Sequence, residues 1–122
     1  MKRLLIADDE VQILELLDLS LTNAGFCVAT AASGPQALKL LRAGRFDLVI
    51  LDVLMSPWDG FETARHLRSV PTCPPIIFLT GVPGMPEAQG GLPLGAACLS
   101  KPFRPAHLTE LIWQVLGDAP PR

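Results

Sequence analysis

Five side chains in this sequence sit where short apolar runs stop. Asp8 and Asp9 follow one such run, Asp52 a second, Thr80 a third, and Lys101 comes just after a fourth. Three carboxylates, a hydroxyl and an ammonium group are chemically complementary, since crowded acids repel one another and a fixed positive charge offsets them. Asp52 is the centre of the stretch LVILDVLMSPWDG, Leu48 to Gly60. Its four preceding apolar residues have the length and branching of a strand buried on both faces. A carboxylate at the end of such a strand emerges in the crevice where open α/β sheets place their ligands, so Asp52 reads as a reactive carboxylate. Each residue taken singly also has a plain reading. Asp52 could simply end a strand before the turn residues Pro57, Asp59 and Gly60, and Asp8, Asp9 and Glu10 could simply begin a helix whose dipole favours negative charge. The choice depends on whether the surrounding elements bring these groups together.

Residues 3–7 read as a buried first strand, 26–31 as a second, 48–51 as the third, 76–79 as the fourth and 96–99 as a short fifth. Between them, Val11, Leu14, Leu17 and Leu21 recur at helical spacing. Ile13, Leu16 and Leu19 widen that face into a helix expected to be buried on two sides. Ser33-Gly34-Pro35 reads as a cap with proline in the first turn of a second helix, closed by Gly44. Phe61, Ala64 and Leu67 mark a third helix. Residues 81–95 hold five glycines and three prolines, so a helix there is expected to be short or irregular. Pro105 opens a last helix with apolar positions Leu108, Leu111, Ile112, Val115 and Leu116, and Gly117 closes it. Strand and helix thus alternate, which implies a parallel sheet with helices on both faces. All strands of such a sheet end on the same edge. Asp8, Asp9, Asp52, Thr80 and Lys101 can therefore converge, and the functional reading is preferred.

Composition narrows the classes. The chain has 122 residues, 49% of them apolar, and a formal charge of -2, which fits one domain and argues against a nucleic-acid binder held by a basic surface. Cys27, Cys73 and Cys98 form no CxxC pair and have no histidine nearby to complete a zinc site, so they read as buried free thiols in a reducing cytoplasm. No apolar run is long enough for a signal peptide or a membrane span. There is no GxGxxG after the first strand and no P-loop, and His66 and His107 read as surface residues of helices.

With these motifs in hand, the chain resembles a response-regulator receiver domain of the two-component signalling family, like the chemotaxis receivers. The resemblance covers about residues 3 to 117 and rests on Asp8-Asp9, Asp52 with Met55 and Asp59-Gly60, Thr80-Gly81, Gly95-Ala96, and Lys101-Pro102-Phe103. It implies a flavodoxin-like five-stranded sheet in the order 2-1-3-4-5, with residues 1–117 as the receiver and 118–122 as a short tail. It also implies that Asp52 takes a phosphoryl group from a phosphohistidine on a sensor histidine kinase or a histidine phosphotransfer protein. Asp9, Asp52 and the main-chain carbonyl of Leu54 would hold Mg²⁺, with Asp8 acting through bound water. Thr80 and Lys101 would meet the phosphoryl oxygens, and the Lys101-Pro102 peptide would be cis. The output would be altered binding of a downstream protein, with no nucleic acid or membrane contacted by this domain and a homodimer through the last helix left open.

The departures from the family pattern bear on output. The loop proline expected directly after Met55 is displaced by one, giving Met55-Ser56-Pro57, and Trp58 adds a large ring near the site. Cys98 stands where the family usually has a switch tyrosine or phenylalanine, and the segment to Lys101 is one residue short. Leu54 and Val82 occupy the positions that flank the hydrolytic water in the family. Neither can polarise water, so slow self-dephosphorylation is expected. The alternative is a phosphorylation-independent interaction module on the same fold. Trp113 marks either a partner surface or partial burial on the last helix.

Overall fold

The computed structural model describes residues 1–81 and 97–117. Strands β1 (Arg3–Ala7), β2 (Cys27–Ala31), β3 (Leu48–Asp52), β4 (Ile76–Thr80) and β5 (Ala97–Ser100) alternate with helices α1 (Val11–Asn23), α2 (Gly34–Ala43), α3 (Gly60–Arg68) and, after β5, α4 (Pro105–Leu116). All strand pairs are parallel, in the order β2-β1-β3-β4-β5, the flavodoxin-like order expected. The irregular segment expected between the fourth and fifth strands, with Val82 and Gly95, lies outside the described residues, as does the tail.

Alternation along each central strand builds two cores. Leu5, Ala7, Val49, Leu51, Ile76 and Phe78 face α2 and α3, where Leu38, Leu41, Phe61 and Leu67 meet them. Leu4, Ile6, Leu48, Ile50, Ile77 and Leu79 face α1 and α4, where Leu14, Leu17, Leu21, Leu108 and Ile112 meet them. A side-chain period of two on a sheet covered on both faces turns every residue of such a strand inward, which is why these strands read as unbroken apolar runs.

Local rules set most element ends. The Ser33 hydroxyl accepts the Gln36 N–H at 3.2 Å and Pro35 occupies the first turn of α2. The Asp59 carboxylate accepts the Glu62 N–H at 2.8 Å to begin α3. Gly117 ends α4 at φ +75°, where a side chain would be strained. Gly60 is required for a different reason. A Cβ there would stand 2.6 Å from the Asp52 carbonyl oxygen and 2.9 Å from the Val53 Cα, so only glycine lets α3 start against the end of β3.

Two expectations change, and one open choice is decided. Helix α1 buries one side, not two: Leu14, Leu17 and Leu21 are covered, while Leu16 and Leu19 remain 67% and 63% exposed. A helix lying on a sheet covers only the stripe that faces it. The outer leucines instead border an apolar groove of about 610 Å³ shared with Phe103 and Leu108. Cys27 is exposed, and Cys73 and Cys98 are only partly buried. Strand β2 is the sheet edge, so its first residue gains no cover from a further strand. Trp113 is half-buried, its ring 5.1 Å from that of Phe26, which favours partial burial over a free surface.

Candidate functional site

The register of the sheet brings the polar strand ends to one edge. Asp52 pairs with Leu79 across β3 and β4, and Thr80 with Ser100 across β4 and β5. Main-chain hydrogen bonds continue past the strands: Asp8 N–H to the Ala31 carbonyl at 3.1 Å, Val53 N–H to Leu79 at 2.9 Å, and Lys101 N–H to Thr80 at 2.7 Å. Residues that follow the apolar runs are thereby placed side by side.

One carboxylate oxygen from each of Asp8, Asp9 and Asp52 lies within 4.8 Å of the other two. Asp8 is 1% exposed and Asp52 4% exposed, whereas Asp9 is on the surface. The Lys101 Nζ reaches the Asp52 Oδ1 at 3.0 Å. Asp8 Oδ1 accepts the Glu10 N–H at 2.9 Å, but its Oδ2 is buried with no hydrogen-bond partner. Thr80 is 1% exposed at the end of β4. Leu54 lies in the loop directly after β3 and is 60% exposed. The Lys101-Pro102 peptide is cis, and so is Ser56-Pro57.

The electrostatics follow from crowding in a sheltered place. Burial pushes the Asp8 carboxyl up from 3.8 to about 6; the Glu10 N–H opposes this, and the charge of Asp52 adds to it. Asp52 is also raised by burial, with the Lys101 hydrogen bond and charge pulling the other way. An ionised cluster with one partnerless buried oxygen is unfavourable as it stands. A hard divalent cation fits it, because the available donors are carboxylate oxygens and the orphaned Asp8 oxygen would gain a partner.

Of the residues singled out in the sequence, Asp8, Asp9, Asp52 and Lys101 meet directly, and Thr80 stands one position beyond Asp52's register partner. Sequence reasoning missed two contacts. The Ser56 N–H donates to Asp9 Oδ2 at 3.3 Å. The Trp58 ring stacks on His66, with centroids 3.8 Å apart and planes 9° apart. The displaced proline and the added tryptophan were the visible signals, but the partners of both are distant in the chain or on a separate element.

Comparison with known proteins places this arrangement. The model of the response regulator receiver domain matches residues 4–113. The chain is 40% identical over 114 residues to the probable transcriptional regulator ycf27 of Cyanidium caldarium, covering 93% of this chain and 45% of that protein. It is 35% identical over 116 residues to the alkaline phosphatase synthesis transcriptional regulatory protein PhoP of Bacillus subtilis, covering 94% of this chain and 48% of that protein. The chain thus spans about half the length of these curated relatives. Among solved structures, the chemotaxis response regulator CheY4 of Vibrio cholerae superposes with a TM-score of 0.87 at 34% identity, over 94% of this chain and 98% of that one. The response regulator TrrA of Thermotoga maritima, solved in complex with Mg(2+)-BeF, gives 0.86 at 34% identity, over 94% and 99%. The strand order, the acidic edge and these similarities agree, and the chain belongs to the response regulator receiver family.

Proposed function

We propose that Asp52 is the phosphoacceptor of a receiver unit spanning residues 1–117. A phosphohistidine on a sensor histidine kinase or a histidine phosphotransfer protein donates the group. Lys101 holds Asp52 Oδ1 at 3.0 Å, which leaves Oδ2 to attack phosphorus. The new O–P bond forms as the P–N bond breaks, and the imidazole leaves with the electron pair and takes a proton from water, giving an acyl phosphate. Lys101 is then positioned to shift from the carboxylate to a phosphoryl oxygen as a point charge, and Thr80 to donate its hydroxyl to another. Asp8, Asp9, Asp52 and the Leu54 main-chain carbonyl would hold Mg²⁺. Bound there, the ion keeps the acids ionised and neutralises charge on the transferred group. The likeness to the T. maritima regulator solved with Mg(2+)-BeF supports this assignment.

The observation that carries the proposal is the meeting of three carboxylates with one lysine, Lys101, on Asp52. Signalling would proceed through altered binding of a downstream protein. The test is intact mass after incubation with Mg²⁺ and a small-molecule phosphodonor. Wild type gains one phosphoryl group, and Asp52→Asn or omission of Mg²⁺ prevents it. If wild type stays unmodified under conditions that label a control receiver, the phosphorylation-independent module replaces this reading.

A further inference from the structure

The loop leaving the phosphoacceptor strand is anchored at its far end by an aromatic ring. Trp58 stacks on His66 of α3. The same ring abuts the start of α2, where a Cβ on Gly34 would come within 2.9 Å of it and would run into the Thr63 side chain. The Gly60 N–H returns to the Val53 carbonyl at 2.8 Å, so the loop is closed at its base as well. Two residues before Trp58, the Ser56 N–H reaches Asp9 Oδ2 across 47 positions of sequence.

Asp9 is the exposed member of the acid cluster. An exposed carboxylate has rotamer freedom that cation binding would have to remove, and a hydrogen bond to one of its oxygens removes part of it beforehand. We propose that Trp58 is a positioning residue: seated on His66 and against Gly34, it fixes the loop so that the Ser56 N–H presets Asp9 for a divalent cation. The inference rests on the cation site proposed above and adds the device that orients one of its ligands. The donor is main-chain, so at position 56 only proline deletes it. Alanine there keeps it.

The experiment is Mn²⁺ titration followed by the electron paramagnetic resonance of the free ion. It compares wild type, Ser56→Ala, Ser56→Pro, Trp58→Ala and Trp58→Phe, each checked for folding by circular dichroism. Ser56→Ala binds as wild type does. Ser56→Pro binds about tenfold more weakly, the low end of the effect of removing a ligand's outer partner. Trp58→Ala weakens binding about threefold, and Trp58→Phe, which keeps a flat ring for His66, restores most of it. If Ser56→Pro does not fold, the Trp58 pair decides. A folded Trp58→Ala that binds Mn²⁺ as tightly as wild type overturns the proposal, and so does equal weakening by alanine and phenylalanine. If wild type itself takes up neither Mn²⁺ nor beryllofluoride, the cation site fails and the positioning role falls with it. Normal binding by both wild type and Trp58→Ala removes the positioning role alone.

Discussion

Leu4 to Ala7, Leu48 to Leu51 and Ile76 to Leu79 have at most 1% of their surface exposed, and Asp8 and Thr80 just beyond them are sealed to the same degree. Asp52, at 4%, is hardly less sheltered. Burial alone therefore does not distinguish the bodies of the strands from their carboxyl ends. Chemistry does. In the bodies, removal from water stabilises the fold by roughly 25 cal/mol per Å² of apolar surface. At the ends the same removal works against the fold, because an ionised carboxylate loses its hydration and gains like-charged neighbours. The strand bodies supply stability that the edge uses up in holding a reactive arrangement.

The strongest way to test that contrast is in the body. Ile50 is fully buried two residues before Asp52, in the core facing α1 and α4. Ile50→Ala removes three carbons from a closed layer and should destabilise by about 4 kcal/mol. Urea unfolding should show a lower midpoint with an unchanged slope.

At the edge the sign reverses. Asp8 ionises in the folded state near 6 against 3.8 in the unfolded chain. Below pH 3.8 both states hold the proton and the group does not affect stability. As pH rises, the unfolded chain releases its proton first, so stability falls until the folded carboxyl has also ionised above about 6. The loss is about 3 kcal/mol by the linkage relation. Without divalent cations, Asp8→Asn should therefore be more stable than wild type at pH 8 and should lose much of the decline between pH 4 and 7. Thermal melts across that range read it directly. Mg²⁺ should raise the wild-type melting temperature more than that of Asp8→Asn, since binding to the native state alone stabilises it.

Why the two regions differ in legibility follows from the same physics. The three central strand bodies could be read from sequence because burial on both faces demands unbroken apolar runs; the strand ends shifted, with β2 beginning at Cys27, β3 and β4 taking in Asp52 and Thr80, and β5 covering Ala97 to Ser100. The meeting of Asp8, Asp9, Asp52 and Lys101 was legible because parallel strands share one carboxyl edge. Strand order came from the resemblance, since spacing carries no information about which strands are neighbours. The one-sided burial of α1 was not legible, because Leu16 and Leu19 have the same hydropathy as Leu17 and only the position of the sheet separates them. The Ser56 to Asp9 hydrogen bond was not legible either, as a main-chain N–H has no side-chain signature.

Where body and edge touch, Gly60 carries the joint. Gly60→Ala sets a methyl against the Asp52 carbonyl oxygen and the Val53 Cα, both main-chain atoms that cannot rotate away. The β3 end must shift, and a loss of about 2 kcal/mol is expected. A simple packing defect would lower only the melting temperature. Displacement of the Asp52 main chain should also slow phosphoryl uptake from a small-molecule donor, which intact mass against time would show.

The smallest expected effect leaves stability alone and changes only the edge's chemistry. Leu54 projects into solvent just beyond Asp52, 60% exposed, so Leu54→Asn should alter folding free energy by less than about 0.5 kcal/mol. An alkyl side chain there offers water neither a donor nor an acceptor. Asparagine offers both and can hold a water molecule beside the acyl phosphate, so hydrolysis should quicken about tenfold, or about 1.4 kcal/mol of barrier. Decay of the phosphorylated mass, timed after the donor is removed, measures it. Loss of the wild-type phosphoryl group within seconds in Mg²⁺ buffer would show that main-chain groups already orient the water, leaving Leu54 without the retarding role assigned to it. Equal lifetimes for a long-lived wild type and Leu54→Asn would instead mean that the water approaches from another side of Asp52.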